Sequence, residues 1–448
     1  MAGLVAALAS LGLGILPAAA QPAPPPASDA ALSSAAESVY AAARPRLMQV
    51  RTLVTAAAGK QSSTGSAFLV SADGLAITNY HVVSQFALEP QTYRLEYTAV
   101  DGSTGGLTLL AIDIANDLAL VRLDSAGGVD KRDRPFFAFD ERALAGELPK
   151  GERLYSMGNP LDLGFTIVEG TYNGPVERSY AERIHFSGAI NPGMSGGPTV
   201  TAESRIAGIN VAKQLGGDLV SFLVPARFAA RLLERAQDRA PPAPADFHAE
   251  IGRQLMEWQA ALYQSVDAAG FRARQFGPYE APESAAPWFT CWAQTNAGQV
   301  PKPRASLNQT SCNSDTALFI AGDLGTGGIR LSNAYIRSVD LNQLQFAAFV
   351  SQLSQGALGG FNRRWRTPQR CHEDFLAVGE GDDHPPLRAV WCARAYREFE
   401  GLYDVSITAV TEDNGLEALV SRLSVQGIAY DTGIALAQRF LEAVKWTK

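Results

Sequence analysis

The chain has 448 residues, and 38 Lys and Arg against 45 Asp and Glu give it a formal net charge of -7. Hydrophobic residues make up 46% of the chain, which excludes disorder throughout because the apolar material suffices for sizeable cores. The mild negative charge and the lack of a long basic run argue against a nucleic-acid partner, since phosphate binding needs clustered Lys and Arg. At about 150 residues per domain, the length predicts two or three folded units.

The N-terminus predicts an export signal. Residues Val5–Ala20 are apolar and uncharged, and they end in three alanines, the small residues typical of a signal-peptide cleavage site. We therefore expect residues 1–20 to be a cleaved signal peptide and the mature protein to be periplasmic or secreted. The alternative is an uncleaved membrane anchor, and only in that case do we expect contact with a membrane. Residues 21–46 predict a Pro-rich tether followed by a short helix.

A β-rich region follows the tether. Between Leu47 and Val224, short alternating or apolar runs are separated by Gly, Asn and Asp turns. Many short strands at this spacing indicate an all-β barrel or sandwich. Pro225 fits the first turn of a helix that ends this region, and the Pro- and Ala-rich residues 239–246 predict a linker. The first domain is therefore expected at residues 47–238.

Three segments of the β-rich region carry the residues of an activated serine. The sequence TNYHVV places His81 just after a strand, DLAL places Asp117 at the start of an apolar strand, and NPGMSGG surrounds Ser195 with glycines. A serine hydroxyl is a weak nucleophile unless a general base accepts its proton, and an imidazole oriented by a carboxylate suits that task. We predict that these three residues form a catalytic triad. The amides of Gly193 and Ser195 are predicted to form the oxyanion hole.

In these segments the chain resembles the trypsin-like serine proteases, and among them the HtrA/Deg type. The family motifs read approximately TN-x-HVV, DLA-[VL] and NPG-x-SGG, and the chain matches all three in the same order. A fourth segment, Tyr155–Gly170, resembles the GNP-containing segment of the family. The resemblance covers about residues 47–238 and implies the all-β double β-barrel of the chymotrypsin/trypsin-like fold. It places the acid at Asp117, so Asp113 is interpreted as a turn residue. His185 is interpreted as structural or as lying at the rim of the pocket, rather than as catalytic.

The resemblance implies an exported serine endopeptidase that hydrolyses peptide bonds through an acyl-enzyme, with proteins or peptides as substrates. Envelope protein processing or quality control is the expected role, and no metal or organic cofactor is needed. The alternative is an envelope binding or scaffold protein whose protease domain is vestigial or tightly regulated. HtrA-type enzymes usually carry PDZ domains after the protease domain. No PDZ pattern is recognised in this sequence, so the oligomeric state of the family does not carry over.

The resemblance also locates the primary substrate pocket. In this fold the pocket is lined by residues about six before the serine and by the last strands of the second barrel. No Asp stands at the pocket base, so we expect a small or medium aliphatic side chain before the scissile bond. The predicted substrate-binding residues are Ala189, Ile190, Ile209, Asn210, Val211, Ala212 and Leu223.

The second half of the chain, residues 247–448, resembles no family that we recognise. Its mixture of strand-like runs and helices predicts an α+β domain of unknown fold. All four cysteines lie here, and in an exported chain an even number suggests disulfides. The spacing favours two local pairs, Cys291–Cys312 and Cys371–Cys392, because short loops close at the least entropic cost. A zinc site is the alternative, but neither pair has the CxxC spacing that zinc sites favour.

Three further features of this half have a plain structural interpretation. The basic and aromatic segment Arg363–Arg366 is interpreted as an exposed cationic loop rather than a sugar or nucleic-acid site. The segment Glu380–His384 is interpreted as a solvated acidic turn rather than a cation site. The aromatic residues Trp288, Phe289 and Trp292 are interpreted as packing over a disulfide.

Overall fold

The computed structural model describes most of the chain beyond its N-terminus. The predicted signal peptide and the first part of the tether lie outside the described residues. Within the described part, no helix is both long and apolar enough to cross a bilayer. The described residues are 34–56, 60–124, 133–213, 220–238, 240–355, 358–360, 362–377, 384–412 and 415–447.

The N-terminal half of the described chain begins with a closed barrel of six antiparallel strands. Its elements are α1 (Ser34–Ala43), β1 (Leu47–Val54), β2 (Gln61–Leu69), β3 (Leu75–Thr78), α2 (Tyr80–Leu88), β4 (Tyr93–Ala99), β5 (Thr104–Asp113) and β6 (Leu118–Leu123). The strands pair in the order β1-β2-β3-β6-β5-β4. Apolar side chains such as Phe68, Ile77 and Leu120 are fully buried, which gives the barrel a filled interior. Helix α2 follows β3 after a single residue and carries His81 at its first turn.

A second closed barrel of six antiparallel strands follows. Its elements are α3 (Glu141–Ala145), β7 (Arg153–Gly158), β8 (Thr166–Pro175), β9 (Ile184–Phe186), β10 (Pro198–Val200), β11 (Ile206–Lys213), β12 (Ser221–Pro225) and α4 (Ala226–Ala236). The strands pair in the order β10-β11-β12-β9-β8-β7. Helix α4 buries Ala229 and Leu232 and contacts β5 and β6 as well as β11, so it connects the two barrels. This pair of barrels confirms the chymotrypsin/trypsin-like fold that the resemblance implies.

The C-terminal half combines antiparallel sheets with helices, which agrees with the predicted mixture of strands and helices. The elements are α5 (Asp246–Ala269), β13 (Phe271–Phe276), β14 (Tyr279–Ser284), β15 (Phe289–Thr295), β16 (Ala305–Ser314), β17 (Leu318–Ala321), β18 (Leu324–Thr326), β19 (Ile329–Ser338), α6 (Gln343–Leu353), β20 (Arg370–Leu376), β21 (Leu387–Ala395), β22 (Tyr403–Thr411), β23 (Glu417–Ile428), α7 (Tyr430–Glu442) and β24 (Lys445–Trp446). The main sheet has seven strands in the order β15-β16-β19-β23-β22-β21-β20. A small sheet of β13, β14 and β24 and a hairpin of β17 and β18 lie outside it.

Both disulfides lie at the edges of the seven-stranded sheet. Cys291 in β15 is joined to Cys312 in β16, and Cys371 in β20 is joined to Cys392 in β21. In each case the two residues face each other directly in the strand register, with Cα atoms 4.0 and 4.1 Å apart. The pairing in the structure is the local one that the spacing favours. Each disulfide therefore fastens an exposed edge strand to its neighbour.

The structure corrects two interpretations of the C-terminal half. Arg366 and Trp365 are buried, with 5% and 2% exposed, so only the first part of the basic segment is an exposed loop. Arg366 is buried because its guanidinium pairs with the carboxylate of Asp404. Trp292 is 67% exposed, so it does not pack over the disulfide, whereas Trp288 stacks on Phe289 with ring centroids 4.9 Å apart. Most of the predicted acidic turn, residues 380–383, lies outside the described residues.

Candidate active site

The serine loop is fastened to the first barrel by Ser66 in β2. The Ser66 amide donates to the carbonyl of Ser195 over 2.8 Å, and its hydroxyl donates to the carbonyl of Gly193 over 2.8 Å. The same hydroxyl accepts a hydrogen bond from the amide of Asn159 at 3.0 Å. A side chain of the first barrel thus connects two separate segments of the second. Ser195 consequently lies at the junction of the barrels.

The predicted base, His81, and the predicted acid, Asp117, meet at the start of α2. Nδ1 of His81 lies 2.7 Å from Oδ2 of Asp117, and the His81 backbone amide donates to Oδ1 over 2.9 Å. Because a carboxylate only accepts hydrogen bonds, Nδ1 carries the proton and Nε2 is the free basic nitrogen. Asn79 fixes the backbone of Asp117, since its side-chain amide donates to the Asp117 backbone carbonyl over 2.7 Å. Asp117 itself has a left-handed φ of 58° in the turn before β6.

Opposing effects set the basicity of His81. Burial lowers the pKa of His81, but the negative charge of Asp117 and its hydrogen bond to the ring raise it, and the net pKa lies above the ordinary value. The side chain of His81 is 28% exposed, whereas that of Asp117 is 15% exposed. The imidazole therefore reaches the cleft between the barrels, while the carboxylate that orients it stays behind it.

Glycines around Ser195 permit a tight approach of backbone to backbone. Gly193 and Gly196 have left-handed φ angles of 94° and 82°. A Cβ on Gly196 would overlap the carbonyl oxygen of Ser66 and the hydroxyl of Thr78, so no larger residue fits there. Among the described hydrogen bonds, none is donated by the amides of Gly193 or Ser195. These two amides are thus the available donors for a developing oxyanion.

The hydroxyl of Ser195, the predicted nucleophile, has a partner other than His81 in the structure. Ser195 Oγ donates to the carbonyl of Val211 over 3.4 Å, and no described hydrogen bond joins it to His81. Val211 lies at a register shift between β11 and β12, which leaves its carbonyl outside the strand ladder. A change of the Ser195 χ1 rotamer redirects the hydroxyl, and catalytic hydrogen bonds commonly tighten only when substrate is bound.

The predicted pocket residues fall into two groups. Ala189 and Val211 are partly exposed and lie near the serine loop, whereas Ile209 and Leu223 are fully buried in the core of the second barrel. The side chain of Ala212 lies outside the described residues. Ser221 was not predicted, yet its hydroxyl accepts the amide hydrogen of Ile190 over 3.1 Å and holds that segment in place. The one signal in the sequence that could have indicated this role is the inward position of Ser221 in β12.

Asn210 serves the interior of the second barrel. Its Oδ1 accepts hydrogen bonds from the hydroxyls of Ser156 at 2.8 Å and Thr199 at 2.7 Å. Its Nδ2 donates to the carbonyls of Met157 at 2.9 Å and Met194 at 3.2 Å. Since Met194 directly precedes Ser195, these bonds to Asn210 support the serine loop. All of its side-chain polar atoms are used in these bonds.

Other candidates from the sequence occupy structural positions. Asp113, the last residue of β5, accepts hydrogen bonds from the backbone and side-chain amides of Asn116, so its carboxylate stabilises the turn that follows. His185 faces Phe222 across the β9–β12 pair. His384 lies 3.0 Å through Nδ1 from the carbonyl of Val444. Among the described residues, Glu283, Cys291 and Cys312 lie close enough together to suggest a metal site. The two cysteines form a disulfide, so they offer no free thiolate as a ligand.

Comparison with known proteins agrees with this geometry. A family model described as a trypsin-like peptidase domain matches residues 65–209. A probable periplasmic serine endoprotease, DegP-like, of Chlamydia pneumoniae is 28% identical over 184 residues, which are 39% of this chain and 35% of the relative. Serine protease PepD of Mycobacterium tuberculosis is 29% identical over 221 residues, which are 44% of this chain and 45% of the relative.

Among solved structures, the serine endoprotease of Yersinia pestis is 22% identical, covers 44% of this chain and 65% of its own, and has a TM-score of 0.37. Two barrels that bring a serine loop to a His–Asp pair define a trypsin-like peptidase domain. The matched region is similar to serine proteases of the HtrA/DegP type. The chain spans less than half the length of the two curated relatives named above, 35% and 45% respectively.

Proposed function

We propose that the protein is an exported serine endopeptidase that cleaves proteins or peptides through an acyl-enzyme. The observation that carries the proposal is the paired contact of His81 with Asp117, through Nδ1 at 2.7 Å and the backbone amide at 2.9 Å, beside a glycine-rich serine loop. This pairing leaves Nε2 of His81 as the base for Ser195. An activated serine nucleophile is the chemistry that this combination of residues serves.

In the proposed reaction, Ser195 Oγ attacks the carbonyl carbon of the scissile bond while Nε2 of His81 takes its proton. The negative charge that forms on the carbonyl oxygen is stabilised by the amides of Gly193 and Ser195. Asp117 stabilises the imidazolium and keeps its ring oriented. The imidazolium then protonates the departing amine, which leaves Ser195 acylated. Water, deprotonated by His81, releases the acid product and restores the hydroxyl.

The place of action and the substrates are inferred from relatives. The name of the Chlamydia relative includes the word periplasmic, and both named curated relatives are serine proteases. Together with the N-terminal apolar run, this supports export to the periplasm or beyond, where protein substrates of the envelope are available. The primary pocket is proposed to take a small or medium aliphatic side chain, because Ala189 and Val211 offer apolar walls beside the serine loop.

Labelling with a fluorophosphonate probe tests the proposal. The probe reacts covalently with a serine that is activated by a neighbouring base, so we expect one label per chain, on the peptide that contains Ser195. Wild-type protein should also cleave unfolded casein, and both signals should vanish in Ser195→Ala. Absence of labelling between about pH 6 and pH 9, the range in which a histidine base is active, would contradict the proposal in folded wild-type protein. It would favour a scaffold protein with a vestigial protease domain.

A further inference from the structure

The hairpin of β17 and β18 in the C-terminal half lies against α2, the helix that carries His81. The ring of Phe319 meets the His81 imidazole edge-to-face, with centroids 6.0 Å apart and planes at 73°. The same ring contacts Tyr80 in the same manner, at 6.2 Å. Its neighbours Leu318 and Ile320 are buried, whereas Phe319 is partly exposed. The hairpin thus presents one apolar face to the cleft beside the base.

A buried hydrogen bond fixes the hairpin to α2. The hydroxyl of Tyr80 donates to the carbonyl of Ile320 over 2.9 Å, and Tyr80 is fully buried. Burial, and to a lesser degree the charge of Asp117, raise the pKa of Tyr80, so the hydroxyl keeps its proton at every physiological pH. Residues of α2, α5 and β17 share one apolar core around this bond. Phe319 therefore has a fixed position relative to His81.

The other end of the hairpin is anchored in the C-terminal half. Indole Nε1 of Trp365 donates to Asp323 over 2.7 Å, and the guanidinium of Arg366 donates to the carbonyl of Gly325 over 2.8 Å. The hydroxyl of Tyr396 reaches Thr326 at 3.0 Å. Arg366 is itself held by a buried carboxylate, that of Asp404, at 2.8 Å. With both ends held, the hairpin forms a preorganised wall rather than a free loop.

Ring contacts show on which side of the cleft the hairpin lies. Tyr180, in the loop between β8 and β9, meets the rings of Trp258 and Trp288 edge-to-face, with centroids 6.1 and 5.5 Å apart. A Cβ on Gly327, directly after β18, would overlap the Trp258 ring, so the end of the hairpin packs on the same tryptophan. The hairpin therefore lies on the side of β9, which pairs with β12, and Ser221 of β12 holds the segment of the predicted primary pocket.

We propose that Phe319 forms the wall of a second substrate subsite, which takes an apolar side chain from the residue immediately before the one in the primary pocket. This inference rests on the proposed function. We place the exposed part of the Phe319 ring, which lies edge-to-face to His81, on the path of a substrate chain that runs from the primary pocket past the base. An apolar side chain buries area there, whereas glycine does not. The C-terminal half thereby takes part in choosing substrates within the active site itself.

The test compares hydrolysis of two peptide substrates by full-length protein. The peptides have the same residue at the scissile bond and differ only in the preceding residue, which is Leu in one and Gly in the other. The variants are Phe319→Ala and, as a matched control, Phe375→Ala, which removes a 70% exposed Phe from edge strand β20. Fluorophosphonate labelling is measured in parallel, because a small probe reports on Ser195 without filling the second subsite.

Wild-type protein and Phe375→Ala should prefer the Leu peptide by about tenfold or more in kcat/KM, and Phe319→Ala should lose about tenfold of that preference. A general loosening of His81 would lower kcat/KM for both peptides equally and leave the ratio of the two values unchanged. That result would overturn the inference. So would an unchanged ratio with unchanged rates. Failure of the proposed function looks different, because then wild-type protein shows neither labelling nor cleavage.

Discussion

Ser195 and the His81–Asp117 pair are supported by different parts of the molecule. The loop that carries Ser195 is hydrogen-bonded to Ser66 of the first barrel and to Asn210 of the second. His81 and Asp117 also depend on the first barrel, but the C-terminal half contacts the His81 ring and the turn that precedes Asp117. Phe319 lies against the His81 ring, and Gln254 of α5 holds the turn that leads to Asp117.

The contact made by Gln254 is specific. Its Oε1 accepts the amide hydrogen of Ile114 at 2.9 Å, and its Nε2 donates to the carbonyl of Ile112 at 2.9 Å. The carbonyl of Ile114 in turn accepts from the amide of Asp117. One side chain of the C-terminal half thus positions the backbone that carries the acid. On one side of the cleft, this half therefore supports the His81–Asp117 pair.

Removal of the nucleophile should have the largest effect. Ser195→Ala removes one oxygen at a partly exposed position, so the fold should persist while proteolysis falls by about 10⁴- to 10⁶-fold. Hydrolysis of a peptide substrate measures the loss, and the melting temperature reports on the fold. More than a tenth of wild-type activity in the purified variant would mean that another residue is the nucleophile.

Loss of the acid should be nearly as damaging and should also move the pH profile. Asp117→Asn should lower kcat by about 10⁴-fold at neutral pH, because the amide favours the wrong imidazole tautomer. In wild-type protein, kcat/KM should fall as the pH drops through the raised pKa of His81, since the protonated ring cannot act as a base. Without the Asp117 charge the pKa of His81 falls, so this acid limb should move to lower pH.

The matched control for this variant is Asp113→Asn, which removes a carboxylate from the same turn. It should be mild, because Asp113 contacts only Asn116 among the described side-chain hydrogen bonds. Equal or reversed effects of the two substitutions would show that the acid is misassigned.

A smaller effect should follow from cutting the contact between the halves. Gln254→Ala frees the turn at Ile112 and Ile114, and we expect a loss of about tenfold in kcat, because small displacements of catalytic groups are costly. Gln254 acts through Asp117, so the acid limb of the pH profile should shift to lower pH as well. Gln264→Ala, which changes an exposed glutamine on the same helix, serves as the control. A rate loss without a shift of the acid limb would mark Gln254 as merely structural.

Sequence and structure differ most in what they say about long-range contacts. His81, Asp117 and Ser195 each lie in a short motif of glycines, strand starts and turns, so local patterns sufficed to predict them, and the resemblance of those motifs to a known family implied the double barrel. Gln254 lies 140 positions from Ile114, and Ile320 lies 240 positions from Tyr80. No local pattern marks such residues, because their roles arise only when the C-terminal half packs on the first barrel.

The same limit explains the pocket and the basic segment. Ser221 occupies an inward position of β12, and nothing in the local sequence distinguishes it from the other inward residues of that strand. Arg366 carries a charge, which on its own suggests an exposed side chain. Only the folded sheet brings the buried carboxylate of Asp404 to Arg366, where it offsets the cost of burying the guanidinium.

The smallest change in activity should come from breaking a disulfide at the edge of the sheet. Cys371→Ala combined with Cys392→Ala opens a link across 21 positions, and chain entropy predicts a loss of about 3 kcal/mol in the free energy of unfolding. Strand β20 contributes no residue to the described anchors of the hairpin, so kcat/KM for a small peptide should change by less than about twofold. Urea unfolding and peptide hydrolysis measure the two quantities. If activity fell by about tenfold or more while the variant was still folded, the edge of the sheet would be coupled to His81. The support of His81 by the C-terminal half would then include the edge of the sheet as well as the hairpin and α5.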